Sequence, residues 1–190
     1  MNIKTKEKIF PKNNNVENLQ YDNEGLYSIS HPEDANLISN FINNYVGHKN
    51  LKILDATAGL GGNTISFSRN FKKVTAIESN EKRFNMLENN INLYNLSNVN
   101  LIKGNCIDFL DNKYDVYFFD PPWGGPDYKS ISNLELNLGG MGLHNIIKLL
   151  DKNKVVVFKV PFNYNLNLLK DYDLVIKKIR NMLIILLTNI

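Results

Sequence analysis

Residues 51–64 read LKILDATAGLGGNT. The first five form a short apolar run closed by Asp55, the pattern of a buried strand. Gly59, Gly61 and Gly62 come next, and a helix can start near Asn63 and Thr64. Strand, glycine loop and helix make the opening unit of an open α/β sheet. In such sheets a ligand sits beyond the carboxyl ends of the strands, where the strand order switches. Glycines let the backbone take positive φ and approach that ligand closely.

The same alternation continues on both sides. VTAIE (74–78) is a second strand ending in Glu78, and Asn80 can cap a helix to about Tyr94 with Phe84, Leu87 and Ile91 on one face. VNLIK (99–103), YDVYFFD (114–120) and VVVFKV (155–160) are further strands, with a helix around residues 143–150. Two late apolar runs, ending in MLIILL, leave no room for a full helix between them and predict a hairpin. Upstream, residues 33–45 place Leu37, Ile38, Phe41, Ile42 and Tyr45 on one helical face that ends near Gly47. The first eighteen or so residues read as a polar arm. The expected fold is α/β: a doubly wound, mostly parallel seven-stranded sheet with an antiparallel last strand. Residues 1–48 form an N-terminal arm and short helical segment, and residues 49–190 the main domain.

Composition narrows the classes. A chain of 190 residues, 43% hydrophobic and 22% charged, has the balance of one globular domain. No run approaches the roughly 20 apolar residues of a membrane span. The start has no apolar leader, so an intracellular location is expected: cytoplasm, nucleus or a viral factory. The single Cys106 excludes a disulfide framework, and His31, His48 and His144 show no metal spacing, so no metal is expected. The net charge of +3 is small, but residues 151–190 carry seven basic side chains against three acidic ones. That basic stretch can meet phosphates, or it can be a solvated lysine face.

The acids around the glycine loop select its ligand. Glu78 can accept hydrogen bonds from both ribose hydroxyls of a nucleoside. Asp55 would set a negative charge near a pyrophosphate, and a strict GxGxxG is missing, both of which disfavour a nicotinamide dinucleotide. A cationic, phosphate-free nucleoside such as S-adenosylmethionine suits the loop better. Asp120, Pro121, Pro122 and Trp123, ending the fourth strand, carry the chemistry. A methyl transfer to a planar amino group needs the amine held and its lone pair aimed. Asp120 and the Pro121 carbonyl can accept from the amine. The proline pair stiffens the turn, and Trp123 offers a stacking face worth roughly 1–3 kcal/mol per base. Tyr117, Phe118 and Phe119 are expected in the core.

DPPWGGPDY (120–128) resembles the signature of the trimethylguanosine synthase family, which methylates N2 of the 7-methylguanosine RNA cap. GLGGNT (59–64) is similar to that family's first motif, and DNEGLYS (22–28) to the segment leading into its core. The resemblance implies a Rossmann-like class I methyltransferase domain over residues 49–190 that uses S-adenosylmethionine on capped RNA. Its cationic base would stack on Trp123 more strongly than neutral guanine does. Catalytic roles fall to Asp120, Pro121 and Trp123. Donor binding falls to Asp55, Thr57, Gly59, Gly61, Asn63, Thr64, Glu78, Asn105 and Asp120. Substrate binding falls to Trp123, Gly124, Tyr128, Lys159 and Arg180. The family commonly has an Arg where this chain has Phe162, so Lys159, Lys178 or Arg180 would replace that phosphate contact. No acid follows the third strand, where Asn105 or Asp108 would read the adenine. A monomer is expected. Two alternatives stay open: methylation of guanine N2 or adenine N6 in other RNA or DNA, and a catalytically silent cap binder.

Overall fold

The structure is a computed structural model that describes residues 2–48 and 50–188. Met1, Lys49, Asn189 and Ile190 lie outside the described residues, so the expected division at 48/49 falls beside one of them. Nine strands are described: β1 Lys52–Asp55, β2 Lys73–Glu78, β3 Val99–Lys103, β4 Val116–Phe119, β5 Asn137–Leu138, β6 Met141–Gly142, β7 Val155–Pro161, β8 Asp173–Ile179 and β9 Met182–Thr188. Six helices accompany them: α1 Ile3–Ile9, α2 Asn23–Ser28, α3 Pro32–Val46, α4 Gly62–Asn70, α5 Glu81–Leu93 and α6 Leu143–Ile146.

Seven strands form one sheet in the order β3-β2-β1-β4-β7-β9-β8, and β5 and β6 pair separately. β1 is parallel to both β2 and β4, and β4 is parallel to β7. β9, the last strand in the chain, runs antiparallel to both of its neighbours. The expected mostly parallel, seven-stranded sheet with an antiparallel last strand is therefore present. From β1 the chain winds outward through β2 and β3, then returns to start the other half at β4. The switch point lies between the carboxyl ends of β1 and β4.

Strand alternation sorts the core onto two faces. Val116 and Phe118 of β4 join Ile38 and Ile42 of α3 and Phe67 of α4 on one face. Tyr117 and Phe119 point into the other, with Leu143, Ile146 and Phe158. All three aromatics at 117–119 are fully buried, as expected for core. Long helices cover the first face, whereas short turns of helix at 106–109, 143–149 and 166–169 cover the second.

α3 starts at Pro32, whose fixed φ suits a first helical turn, and ends at Gly47 in the left-handed region (φ 77). Asn80 caps α5 by accepting from the Arg83 amide at 3.0 Å. The first eighteen residues differ from a polar arm. They contain α1, and Ile9 and Phe10 are buried, with Leu19 just beyond, in a cluster with Leu60, Ile65, Leu87 and Ile91. Asn90, fully buried, clamps this segment: it accepts from the Gln20 amide at 2.8 Å and donates to the Gln20 and Leu60 carbonyls. Among the described residues no helix is long and apolar enough to cross a membrane.

Candidate active site

At the switch point β1 delivers Asp55 and the glycine loop. Gly59 and Gly61 take φ of 57 and 96, which side chains with a Cβ rarely adopt, and the space above Gly59 is open. The loop feeds α4, whose Thr64 hydroxyl donates to Asp55 Oδ2 at 2.6 Å. Asp55 Oδ1 and Asn63 Oδ1 are both buried without a hydrogen-bond partner. Burial, reinforced by Asp120 and Glu78, pushes the Asp55 carboxyl up to about 7, against the Thr64 hydrogen bond. Two unpartnered buried acceptors beside an opened loop are what a cationic donor group would satisfy.

Glu78, at the end of β2, is fixed from below. Its Oε2 accepts the Gly59 amide at 3.0 Å and its Oε1 the Asn80 amide at 2.8 Å. Each oxygen keeps a further acceptor site, so the carboxylate can still receive hydroxyls. Asn105 is exposed, and its carbonyl caps the short helix at 106–109 by accepting from the Ile107 amide at 3.2 Å. Asp108 is exposed one turn on.

The opposite wall begins at the end of β4. The Asp120 amide donates to the Thr57 hydroxyl at 2.7 Å, which ties this wall to the strand exit of β1. Pro121 is buried, and Trp123 is half-buried with its ring edge-on to Tyr128 at 5.3 Å and 79°. Gly124 and Gly125 turn the chain at positive φ. Asn163 then latches the loop, donating to the Tyr128 carbonyl at 2.7 Å and the Ile131 carbonyl at 2.6 Å.

The expected phosphate contacts lie elsewhere than their roles suggest. Lys159 is 5% exposed and donates to Asp120 Oδ2 at 2.5 Å, with its ammonium 5.5 Å from the Trp123 ring centre. Arg180, in the β8–β9 turn, pairs with Asp34 at 2.9 Å and Glu33 at 3.2 Å. It lines an open groove of about 570 Å³ with Lys8, Lys12 and His31, apart from Asp120. Lys178 is exposed on β8. Asp55, Thr57, the glycines, Asn63, Thr64, Glu78, Asp120 and Trp123 thus meet at the switch point, and Arg180 does not.

Sequence reasoning gave no role to the Asn163 latch and missed the Lys159–Asp120 pair. The pair had a signal: a lysine inside the apolar run VVVFKV needs a buried anion, and Asp120 ends the neighbouring strand. The latch had none, because it rests on backbone carbonyls.

A model of the RNA cap guanine-N2 methyltransferase family matches residues 50–188. The chain belongs to that family. The trimethylguanosine synthase of Schizosaccharomyces pombe is 30% identical over 129 residues, covering 64% of this chain and 53% of that protein. An uncharacterised protein of Acanthamoeba polyphaga mimivirus is 45% identical over 124 residues, covering 62% of this chain and 48% of that protein. The chain spans about half the length of these relatives. Among solved structures, the precorrin-6y C5,15-methyltransferase of Geobacter metallireducens superposes with a TM-score of 0.65 at 17% identity, covering 90% and 93% of the two chains. At that identity the likeness concerns the fold, a Rossmann-like class I methyltransferase. Family and fold together give the chain the architecture of a methyltransferase domain.

Proposed function

We propose that this methyltransferase domain modifies the exocyclic N2 of 7-methylguanosine in an RNA cap, with S-adenosylmethionine as donor. The observation that carries this is the Thr57–Asp120 hydrogen bond. It joins the glycine-loop wall to the turn that bears Trp123, so the glycine loop and the indole stand at the same end of the sheet.

The residues fit the donor. Asp55 Oδ1 and Asn63 Oδ1 offer unpartnered acceptors to positive charge, Gly59 leaves open space, and Glu78 is held ready for ribose hydroxyls. When bound, S-adenosylmethionine supplies an electrophilic methyl on a sulfonium. The protein's own task is to present the amine. Asp120 accepts one amine N–H, and the rigid Pro121–Pro122 turn offers carbonyls for the plane of the group. Holding the amine in line contributes most of the acceleration such a transfer needs. Trp123 supports the base, whose cationic 7-methyl form is attracted by the indole face. An enzyme of this kind works where capped RNA is found, inside a cell or in a viral factory.

The test is methyl transfer from labelled S-adenosylmethionine to a 7-methylguanosine cap analogue, run beside the analogue lacking the 7-methyl. Transfer to the methylated analogue alone is expected, and mass spectrometry of the nucleoside counts the methyls added. Equal transfer to both would move the substrate to other guanines. A ribosomal RNA small subunit methyltransferase D from Buchnera aphidicola is 32% identical over 123 residues, which makes ribosomal RNA the next substrate to try.

A further inference from the structure

Two lysines are buried among the described residues. Lys6 lies in α1 and donates to the Glu17 carbonyl at 2.5 Å. Lys159 is different. It comes from the middle of a buried apolar strand, pairs in register with Ile184, and finds its partner on the neighbouring strand exit. The side chains of Lys159 and Asp120 are only 7% and 13% exposed, and the same ammonium approaches the Trp123 ring. A buried ion pair is weak evidence for stability, since an apolar pair of equal volume often does as well. Removing one partner, by contrast, leaves an uncompensated charge. One cation therefore touches both the carboxylate and the indole on which amine recognition rests.

We propose that Lys159 is a positioning residue for methyl transfer: it holds Asp120 as an ionised acceptor for the amine, and the neutral pair leaves no net charge behind Trp123, so a cationic base can stack there. This rests on the cap-methylation function. Lys159 then acts through Asp120 and Trp123 and does not touch the cap phosphates.

The charged and polar groups facing Asp120 are Lys159 from β7, Asp55 from the end of β1 and the Thr57 hydroxyl. Burial pushes the Asp120 carboxyl up, and Lys159 opposes that. Without the ammonium, burial acts unopposed. Asp120 then keeps its proton to higher pH and loses acceptor capacity.

The experiment uses four variants of the full chain: Lys159→Met, Lys159→Arg, Asp120→Asn and the double Lys159→Met/Asp120→Asn, which removes both charges and so guards against misfolding. In Lys159→Met the acid limb of the kcat profile should move up by about 1–3 pH units. Activity should recover as pH rises, KM for the cap analogue should hardly change, and Lys159→Arg should restore the profile. In Asp120→Asn the stranded cation should weaken 7-methylguanosine triphosphate more than guanosine triphosphate, read by the fluorescence of Trp123, the only tryptophan in the chain. The double variant should regain that binding without regaining turnover.

An unmoved pH profile in Lys159→Met, with wild-type cap methylation intact, overturns the proposal and leaves the cap function standing. So does a rise in KM for the triphosphate analogue that is absent with the bare nucleoside, which would make Lys159 a phosphate ligand. A wild-type enzyme that methylates a different amine removes the cap function alone, and the pH displacement is then read on that amine. A protein that methylates no amine removes both.

Discussion

The two walls of the candidate site are built differently. The β1–β2 wall stands on regular elements: the glycine loop enters α4, α5 packs behind it, and backbone amides fix Glu78. The β4–β7 wall rises from a segment with only short helical turns and a two-residue hairpin between Asp120 and Val155. Its side chains are held by tertiary contacts instead: Lys159 on Asp120, Tyr128 against Trp123, and Asn163 on the loop carbonyls. A nucleoside donor common to many enzymes can be met by local backbone geometry. The wall for a particular acceptor is assembled from distant strands, and it should be the more sensitive to single changes in what is methylated.

That contrast can be broken at its strongest point first. Asp120→Asn should lower kcat by about a hundredfold while calorimetry finds donor affinity unchanged. Asparagine is the useful replacement, since it removes the charge while keeping the side chain's size and one acceptor oxygen. An unaffected kcat would remove Asp120 from the chemistry, and a parallel loss of donor affinity would erase the distinction between the walls. Next in size, Trp123→Ala should weaken the cap analogue by about 10- to 100-fold, again without touching the donor. Near-normal turnover at low cap concentration would end its stacking role.

The β1–β2 wall answers to pH. The Asp55 carboxyl, ordinarily at 3.8, stands at about 7 in the folded protein. Between those values the folded state holds a proton that the unfolded chain releases. Stability of the donor-free protein should therefore fall as pH rises from the lower value to the higher. Asp55→Asn should flatten this fall, read as urea midpoints at about pH 5 and about pH 8. The same slope in both proteins would contradict the raised, buried Asp55 carboxyl. The smallest effect is expected at Arg180→Ala. With its charge already matched by Glu33 and Asp34, KM for the cap analogue should stay within about twofold while stability drops by about 1 kcal/mol. A large rise in KM would return Arg180 to the phosphate site.

The same division explains what could be read from the sequence. The strand at 52–55, the α3 helix ending at Gly47, the Asn80 cap and the closing hairpin follow from local periodicity and turn chemistry, and all are present. The expected α3 face is only partly right: Ile38 and Ile42 are buried, but Leu37 and Tyr45 are exposed, and Ala35, Ser39 and Asn43 take the inner positions. Asp55, Glu78 and Asp120 were legible because each acid closes an apolar run. α1 was not, because seven residues are too few to show a helical period, and its buried Lys6 reads as solvent-facing. β5 and β6, two residues each, leave no alternation to detect. Lys159 was seen as a free cation because its partner lies 39 positions away on another strand.

The central claim is that the base to be methylated stacks on Trp123. Because Trp123 is the sole tryptophan, its fluorescence reports on that surface alone. Saturable quenching by 7-methylguanosine triphosphate, markedly weaker with guanosine triphosphate, is the predicted result. Cap methylation proceeding while Trp123 fluorescence stays unchanged through saturation would contradict it.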